Sequence, residues 1–405
     1  MKALLLCCAA LETLLAAALN ASTAVRGPDA YRFDGTISRG VLENYLSRAI
    51  TQLGLTDSAQ RAEDIRMLGN VGAKFIGRSA YLWGSPGDDE AYFRRARETA
   101  DLVHQADPDM LLQACIFEAI YDGVNKLPVP ASVFEEFGLQ PAQRNFSYDA
   151  MLFDKGKFRN HWGPGASVPD MSKLETRLWF FYRARRYIDA GFEALHFGQV
   201  HLMDQNDPGH RNWIDLLSRV RSYAAKHARR HLVLCDAHTH GVVENGKLLF
   251  DFHAFPLRIK DVAGSPQKGI LQMNYTDAIF GRSKGGQTPS GWNCEHLPFI
   301  VELDNWGSSG KGGQIIGPCW AWGYDEICWF ARQPLEYRNE WLRYAWKWVR
   351  EHDSNGWLQM PGQRCLADPV NGVNTYYANT RSPAAPQGFD QEETIKAIWA
   401  EESQK

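Results

Sequence analysis

Short apolar runs that end in polar or aromatic residues recur eight times along this chain of 405 residues. Parallel strands that are buried on both faces read as nearly continuous hydrophobic runs. Eight such strands with helices between most of them predict an α/β fold of the (β/α)8 or TIM-barrel type. The runs occupy residues 41–46, 73–78, 110–118, 192–199, 231–236, 248–253, 299–304 and 315–322. Because active sites of such barrels lie at the carboxyl ends of the strands, the residues that end these runs are candidates for a site.

Apolar residues spaced by three and four positions predict the intervening helices, as between Trp213 and Val220. These helices are predicted at residues 59–68, 90–105, 173–190, 210–228 and 336–352. Two connections, residues 121–172 after strand 3 and 255–298 after strand 6, are too long for simple turns, and we expect them to build a cleft. Strands 5 and 6 are instead joined by a tight turn at residues 244–246.

The amino-terminal residues have the pattern of an export signal. An apolar stretch over residues 3–19 is followed by Ala21-Ser-Thr-Ala24, which fits a small-x-small cleavage site. The stretch is interrupted by Glu12 and is shorter than the roughly 20 residues of a spanning helix. We expect a signal peptide at residues 1–24, a barrel domain at 25–352 and an extension at 353–405 that packs on the barrel. The mature protein is then secreted or periplasmic, with no membrane span.

Charge and cysteine content exclude some classes of function. The chain has 44 basic and 47 acidic residues and no basic cluster, so nothing indicates binding to nucleic acid. The cysteines form no Cys-x-x-Cys pair, and we expect most of them to be buried apolar residues, with room for one disulfide in the carboxyl-terminal part. No cofactor motif is found: the glycine-rich residues 281–286 lack the Gly-Lys-Ser/Thr of a phosphate loop.

The seventh run carries two acidic residues, Glu302 and Asp304. Side chains alternate along a strand, so these two share one face and both can point into the barrel mouth. A carboxylate there can act as a nucleophile or as a base. The alternative is that Glu302 forms a buried structural ion pair with an arginine such as Arg78.

The eighth run carries two tryptophans on one side, Trp320 and Trp322. A pyranose ring packs its C–H face on an indole while its hydroxyls bind carboxylates and amides. Trp322 lies nearer the strand end and is predicted to bind sugar, whereas Trp320 fits the barrel core equally well. Trp162, in a predicted loop, is a further aromatic candidate.

With these residues the chain resembles the exported TIM-barrel glycoside hydrolases, and in particular their large retaining superfamily. The resemblance covers the predicted barrel and implies that Glu302 on strand 7 is the nucleophile and that carbohydrate is the substrate. Strand 4 in that superfamily ends in Asn-Glu, whose glutamate is the acid/base, but this chain has Gly198-Gln199 there. Either another strand end supplies the proton or the chemistry differs.

Glu118 on strand 3 and Asp236 on strand 5 are the preferred replacements for the missing acid, because they stand nearest the mouth. Their alternative role is hydrogen bonding to polar side chains that line the barrel. Residues predicted to bind substrate are Trp322, Gln199, Arg78, Asp304, His253, Glu326 and Trp162. A glycosidase requires two carboxyl groups about 5 Å apart for retention, or about 6.5 to 9.5 Å apart for inversion, and the sequence fixes no such distance.

A competing hypothesis is a metal-dependent hydrolase. The segment Asp236-Ala-His238-Thr-His240 resembles the His-x-His pair of the amidohydrolases, and His253 on the next strand could add a ligand. A third hypothesis is a carbohydrate-binding barrel without catalysis, suggested by the missing glutamate on strand 4. The main prediction remains a glycoside hydrolase without a bound metal or cofactor.

Overall fold

The computed structural model describes residues 27–84, 87–262, 264–305 and 325–403, and it has a mixed α/β fold built on one large, mostly parallel, curled sheet. The ten strands of this sheet are β1 (Ala49–Gln52), β2 (Phe75–Ala80), β3 (Leu111–Cys115), β4 (Ala194–His196), β5 (Leu234–His238), β6 (Phe252–Pro256), β7 (Phe299–Glu302), β8 (Gly356–Leu358), β9 (Met360–Val370) and β10 (Val373–Tyr377). Most of the predicted apolar runs therefore do form neighbouring strands.

The sheet order is β8-β7-β6-β5-β4-β3-β2-β1-β9-β10. Each neighbouring pair is parallel except the last, in which β9 and β10 are antiparallel. Strand β8 pairs with β7, where Gly356 aligns with Phe299, and β9 pairs with β1, where Met360 aligns with Ile50. Because only Gln359 separates β8 from β9, one continuous stretch of chain borders both β7 and β1.

Helices connect most of the strands and cover the outside of the sheet. They are α1 (Arg39–Ser47), α2 (Arg61–Val71), α3 (Asp89–Ala106), α4 (Ala131–Glu136), α5 (Leu174–Asp189), α6 (Val200–Met203), α7 (Arg211–His227), α8 (Glu326–Arg332), α9 (Leu335–His352) and α10 (Glu392–Ser403). The five helices predicted from apolar periodicity correspond to α2, α3, α5, α7 and α9. Their apolar faces are buried, as helical amphipathicity requires.

The first predicted strand, residues 41–46, is wrong, because these residues lie in helix α1. Ser38 caps this helix by accepting a hydrogen bond from the backbone N–H of Val41 at 3.3 Å. The buried residues Val41, Leu42, Tyr45 and Leu46 recur at helical spacing, which a short apolar run does not distinguish from a buried strand. The first strand, β1, follows three residues later.

The sixth strand begins later than predicted. Residues Val243–Glu244 and Lys247–Leu248 form a hairpin around Asn245 and Gly246, both with positive φ, as a type I′ turn requires. This hairpin takes up the start of the predicted run at residues 248–253, so β6 starts only at Phe252. His253 is therefore near the beginning of the strand and not at its carboxyl end.

The remaining predictions concern the two ends of the chain, the predicted eighth strand, membrane spans and the cysteines. The predicted signal peptide and the predicted eighth strand, residues 315–322 with Trp322, lie outside the described residues. The sheet continues past residue 352, where the sequence predicted the end of the barrel domain, since β8, β9 and β10 all belong to it. No described helix is long and apolar enough to cross a membrane. Within the described residues Cys115, Cys235, Cys294, Cys328 and Cys365 are free thiols.

The two long connections carry short elements of their own. The connection between β3 and α5 contains 3-10 helices and a small antiparallel pair, Ile120–Tyr121 with Ala166–Ser167. The connection between β6 and β7 contains the hairpin of Lys260–Val262 with Ser265–Ile270, and the strands Gly286–Gln287 and Asn293–Cys294. Both connections start at the carboxyl edge of the sheet, so they stand over the ends of the strands.

Substitution of Trp213 in α7 is a test of how this helix packs on the sheet. The side chain of Trp213 is fully buried against Phe180, Phe197 and Phe250. We expect Trp213→Ala to lower the free energy of unfolding by about 3–5 kcal/mol, because it opens a cavity in the core. The neighbouring Ile214, which is 41% exposed, provides the control: Ile214→Ala should change the free energy of unfolding by less than about 0.5 kcal/mol. Urea denaturation followed by circular dichroism measures both, and equal losses would contradict the packing described.

Candidate active site

The carboxyl ends of the parallel strands surround a cavity of about 710 Å³. Its described lining comes from strands β2, β4, β5 and β9, from the residues that follow β2, β3, β4, β6 and β7, and from both long connections. Among the side chains that line it are Arg78, Tyr81, Trp83, Phe117, Glu118, Trp162, His196, Gln199, His238, Arg258, Asp277, Asp304, Asn305 and Arg364. Five of the residues predicted for the site line this cavity: Glu118, Gln199, Arg78, Asp304 and Trp162.

One wall of the cavity is aromatic. The ring of Phe117 lies 5.1 Å from that of Tyr81 and 5.3 Å from that of Trp83, both in edge-on contact. Trp83 in turn lies 5.3 Å from Trp162. The indole N–H of Trp162 donates to the backbone carbonyl of Glu118 at 3.0 Å, which fixes the ring. An apolar wall beside polar groups is the composition that a sugar ring requires.

Glu302, the predicted nucleophile, is not among the described residues that line the cavity. Its carboxylate accepts from the Nε of Arg78 at 2.8 and 3.1 Å and also contacts Nη2 of Arg78, while Oε2 accepts from the hydroxyl of Thr51 at 3.0 Å. Nη1 of Arg364 lies 3.7 Å away. Burial alone raises the pKa of Glu302, but Arg364 and Arg78 outweigh it and lower the pKa to about 2. The structure thus contains the ion pair with Arg78 that was the alternative to a nucleophile.

Arg78 reaches Glu302 because strand β2 is irregular at this point. The register of β2 against β3 shifts between Ile76 and Ala80, and Arg78 has a φ of 57°, which is rare for a residue other than glycine. Its backbone N–H donates to Oε1 of Gln113 at 3.0 Å, which satisfies the group that the irregularity removes from the ladder. This local conformation turns the guanidinium toward the cavity and toward Glu302.

A series of ion pairs continues from Glu302 to the rim of the cavity. Nη2 of Arg364 lies 3.2 Å from Oδ1 of Asp304, and Nη1 of Arg258 lies 3.7 Å from Oδ2 of Asp304. Nε of Arg258 then donates to Oδ1 of Asp277 at 2.6 Å. Negative and positive side chains alternate along this series, so each buried charge has an opposite neighbour.

Glu118 is held in a different way, by neutral donors on the loop after β4. Its Oε2 accepts from the backbone N–H of Gln199, and its Oε1 accepts from the side-chain amide of Gln199, both at 2.9 Å. Gly198 has a φ of 61°, and a Cβ atom on it would lie 1.8 Å from Oε2 of Glu118, so this position requires glycine. Of the three carboxylates in the described lining, Glu118 is the one without an ion pair to arginine or lysine.

Asp236, the other predicted proton donor, lies fully buried behind the lining and contacts His196. Its Oδ2 is 2.7 Å from Nδ1 of His196, and its Oδ1 accepts from Nε2 of Gln113 at 2.6 Å. Strand β5 extends two residues beyond the predicted end at Asp236, so His238 and not Asp236 stands at its carboxyl end. Asp236 is therefore placed to orient an imidazole that lines the cavity.

Two predicted substrate ligands do not line the cavity within the described part of the chain. His253 is fully buried, with Nδ1 3.0 Å from the hydroxyl of Ser283. Glu326 is also buried; it accepts from the backbone N–H groups of Ile259 and Asp304, each at 2.9 Å. Burial raises the pKa of Glu326 to about 8. Both side chains brace the loops that carry the site.

The histidines of the competing metal hypothesis have separate partners. Nε2 of His240 donates to the backbone carbonyl of Asp277 at 2.7 Å, while His253 contacts Ser283. His238 lines the cavity against the ring of Phe255, and burial lowers its pKa to about 3, so it is neutral at pH 7. Over the residues that the structure describes, no three His, Cys, Asp or Glu side chains are grouped to hold a metal ion.

Sequence reasoning missed Arg258 and Arg364 as parts of this site. Arg258 stands two residues after β6, but the strand was predicted to end at His253. Arg364 lies on β9, in the segment predicted to be an extension of the barrel domain. A strand predicted at residues 356–370 would have brought Arg364 to the carboxyl edge, although its proline and glycine residues weaken that pattern.

Known proteins resemble this chain at the level of overall structure only. No protein-family model and no curated protein matches the sequence. A debranching enzyme from Nostoc punctiforme is 10% identical, with a TM-score of 0.47 over 89% of this chain and 81% of that chain. The type III pullulan hydrolase from Thermococcus kodakarensis is 13% identical, with a TM-score of 0.46 over 93% and 66%. The glycoside hydrolase domain of PelA from Pseudomonas aeruginosa is 11% identical, with a TM-score of 0.32 over 73% and 90%. All three proteins are less than 25% identical to this chain, and all three TM-scores are below 0.5.

The pairing of Glu302 predicts a specific dependence of stability on pH. Glu302→Gln leaves Arg78 and Arg364 without their shared anion, and we expect it to cost about 3–5 kcal/mol near neutral pH. The pKa of Glu302 is about 2 in the folded protein and about 4.3 in an unfolded chain. Its contribution to stability is therefore full above about pH 5 and decreases as the pH falls toward about 2.

Urea denaturation of both proteins at several pH values measures this difference. The gap in unfolding free energy between wild type and Glu302→Gln should shrink on acidification, and a gap that stays constant would refute the assignment. Glu295→Gln is the matched control, because the side chain of Glu295 is 91% exposed. It should change stability by less than about 0.5 kcal/mol at any of these pH values.

Proposed function

We propose that this protein is a glycoside hydrolase that cleaves O-glycosidic bonds in a poly- or oligosaccharide, and that the cavity at the strand ends is its active site. The observation that carries the proposal is the position of Glu118, a cavity carboxylate held by neutral donors and facing the same space as an aromatic wall. The aromatic side chains would bind the sugar ring, and the carboxylate would react at the anomeric carbon.

In this proposal Glu118 is the reacting carboxylate and Glu302 is an anchor. Both oxygens of Glu302 are bound by Arg78, and Oε2 also by Thr51, which leaves a poor nucleophile. Among the described residues, Glu118 receives hydrogen bonds only from Gln199, and these stabilise negative charge without neutralising it. The neighbouring Asp304, paired with Arg364 and Arg258, would position sugar hydroxyls together with Asn305.

We also propose that the sheet closes as a (β/α)8 barrel of a single catalytic domain. The eighth strand would be the stretch β8–β9, because it pairs with β7 at one end and with β1 at the other. The two long connections would then be the insertions over the active site. Export to the periplasm or the medium is a further proposal, supported by the amino-terminal sequence pattern and consistent with a polymeric substrate.

The role of Glu118 predicts a large loss of turnover in Glu118→Gln. A panel of polysaccharides, oligosaccharides and aryl glycosides identifies a substrate for the wild type. We expect kcat of Glu118→Gln on it to fall by about 10²–10⁴-fold, because the variant keeps the shape and loses the anion. Glu244→Gln, a change outside the described lining, should retain wild-type kcat. Turnover of Glu118→Gln at the wild-type rate would contradict the assignment, and binding without turnover by the wild type would support a carbohydrate-binding barrel.

The close contact of Glu118 with Gly198 and Gln199, which we call the Glu118 cradle, predicts that Gly198→Ala also lowers the activity. The added Cβ would overlap Oε2 of Glu118 and require a strained φ, so the carboxylate would have to move. We expect kcat/KM to fall by about 10²-fold, since displacement of a reacting group by about 1 Å has this effect. Gly246→Ala serves as the control: its φ is also positive, but no atom lies within 4 Å of the added Cβ. If both variants lose the same activity, backbone strain and not the cradle would be the cause.

A further inference from the structure

A glycosidase needs a proton donor for the leaving oxygen, and the carboxylates around this cavity are poorly suited to that task. Asp304 is paired with two arginines, and Asp277 is paired with Arg258. Glu118 accepts hydrogen bonds from Gln199 on both of its oxygens and already has the role of the reacting carboxylate in the proposed function. The donor is therefore to be sought among the other titratable side chains of the lining.

His196 is placed as such a donor. It lies at the carboxyl end of β4, and its ring lines the cavity. Nδ1 lies 2.7 Å from Oδ2 of Asp236, whose other oxygen is held by Gln113, so the buried carboxylate fixes both the ring orientation and the proton on Nδ1. This leaves Nε2 for the cavity, and in the described part of the chain no side chain bonds to it.

Charged and aromatic side chains surround the ring of His196. Asp236 contacts it directly, Glu118 lines the same cavity, and Glu302 lies behind the described lining. Two other histidines belong to the described lining: His161 contacts the ring of Trp162 edge-on at 4.5 Å, and His238 is neutral at pH 7, because burial lowers its pKa to about 3. Arg78, Arg364 and Arg258 are the cations of the described lining, and they are paired with Glu302, Asp304 and Asp277, respectively. Phe117 contacts the ring edge-on at 5.8 Å and limits its rotation.

We propose that His196, oriented by Asp236, is the general acid and base of the reaction, an inference that rests on the glycosidase function proposed above. The Nε2 proton passes to the glycosidic oxygen, which leaves with the electron pair of its bond to the anomeric carbon. A carboxylate oxygen of Glu118 forms the new bond to that carbon. Water then displaces Glu118 and gives its proton to Nε2, so the enzyme returns to its starting state. Asp236 is a positioning residue, because it acts through His196.

Leaving-group dependence tests this role. Protonation of the leaving oxygen speeds the departure of an alkoxide. It has little effect on 2,4-dinitrophenolate, because this group is stable as an anion and leaves without a proton. The probes are an oligosaccharide that the wild type hydrolyses and the 2,4-dinitrophenyl glycoside of the same terminal sugar. For His196→Gln we expect kcat/KM on the oligosaccharide to fall by about 10²–10⁴-fold, with a loss of less than about tenfold on the dinitrophenyl glycoside. Asp236→Asn should show the same asymmetry, since it favours the wrong tautomer.

His231→Gln is the matched control. His231 also pairs with an aspartate, Asp34, at 2.6 Å, but it is exposed and precedes the amino end of β5. It should behave like the wild type on both probes. Equal losses on the two probes for His196→Gln would indicate a structural role, and unchanged hydrolysis of the oligosaccharide would remove His196 from the mechanism. Either result overturns the inference while the glycosidase function stands.

The wild type alone gives a second test that does not depend on the folding of a variant. The kcat/KM for the oligosaccharide should fall at alkaline pH as the donor loses its proton, whereas the value for the dinitrophenyl glycoside should lack this alkaline decrease. The same decrease for both probes would contradict a proton donor of this kind. If the wild type hydrolyses no glycan or aryl glycoside in the panel, the proposed function itself fails.

Discussion

The buried ion pair between Arg78 and Glu302 is the interaction on which the rest of the site depends. A charge in the interior is tolerated only when an opposite charge and hydrogen bonds replace its lost hydration. Arg78 on β2, Thr51 on β1 and Arg364 on β9 all meet the carboxylate of Glu302 on β7. Strand β7 lies next to β8, and strands β1 and β2 lie beyond β9, so the contacts of Glu302 cross the segment β8–β9. The pair therefore couples the curling of the sheet to the shape of the cavity.

From that pair outward, each charge determines the position of the next. Arg364 cannot stay buried beside Arg78 without anions, and Glu302 and Asp304 supply them. Asp304 then fixes Arg258, and Arg258 fixes Asp277 in the long connection between β6 and β7. The connection is thereby held at the rim by electrostatics, with the buried Glu326 binding the backbone beneath it. Side chains that are held by such ion pairs need less ordering when a ligand binds, which lowers the entropic cost of binding.

The sequence predicted the strand-helix alternation but could not fix where each strand ends. Apolar periodicity found α7 and the core of β3, since both depend on local patterns. It failed for residues 41–46, because a short apolar run is typical of a buried strand and of a buried helix alike, and here it belongs to helix α1. An error of two residues at the end of β5 exchanged Asp236 for His238, and an error of three residues at the end of β6 gave His253 a place at the mouth. Ion pairs such as that of Arg364 with Asp304 join residues 60 positions apart, so no local pattern reveals them.

The absence of an Asn-Glu pair on the fourth strand has a physical explanation in this geometry. Gly198 and Gln199, which stand in that place, provide close approach and two hydrogen-bond donors for a carboxylate from the third strand. The same loop follows His196, whose ring is held by Asp236. A glutamate at position 199 would place a second negative charge against Glu118 and would remove its amide donor, which is unfavourable in a buried site. Gly198 and Gln199 after strand 4 and the carboxylate after strand 3 are therefore mutually dependent. A search for the missing acid in the sequence alone looks for another carboxylate, whereas in our proposal the reacting anion follows strand 3 and the imidazole of His196 on strand 4 carries the proton.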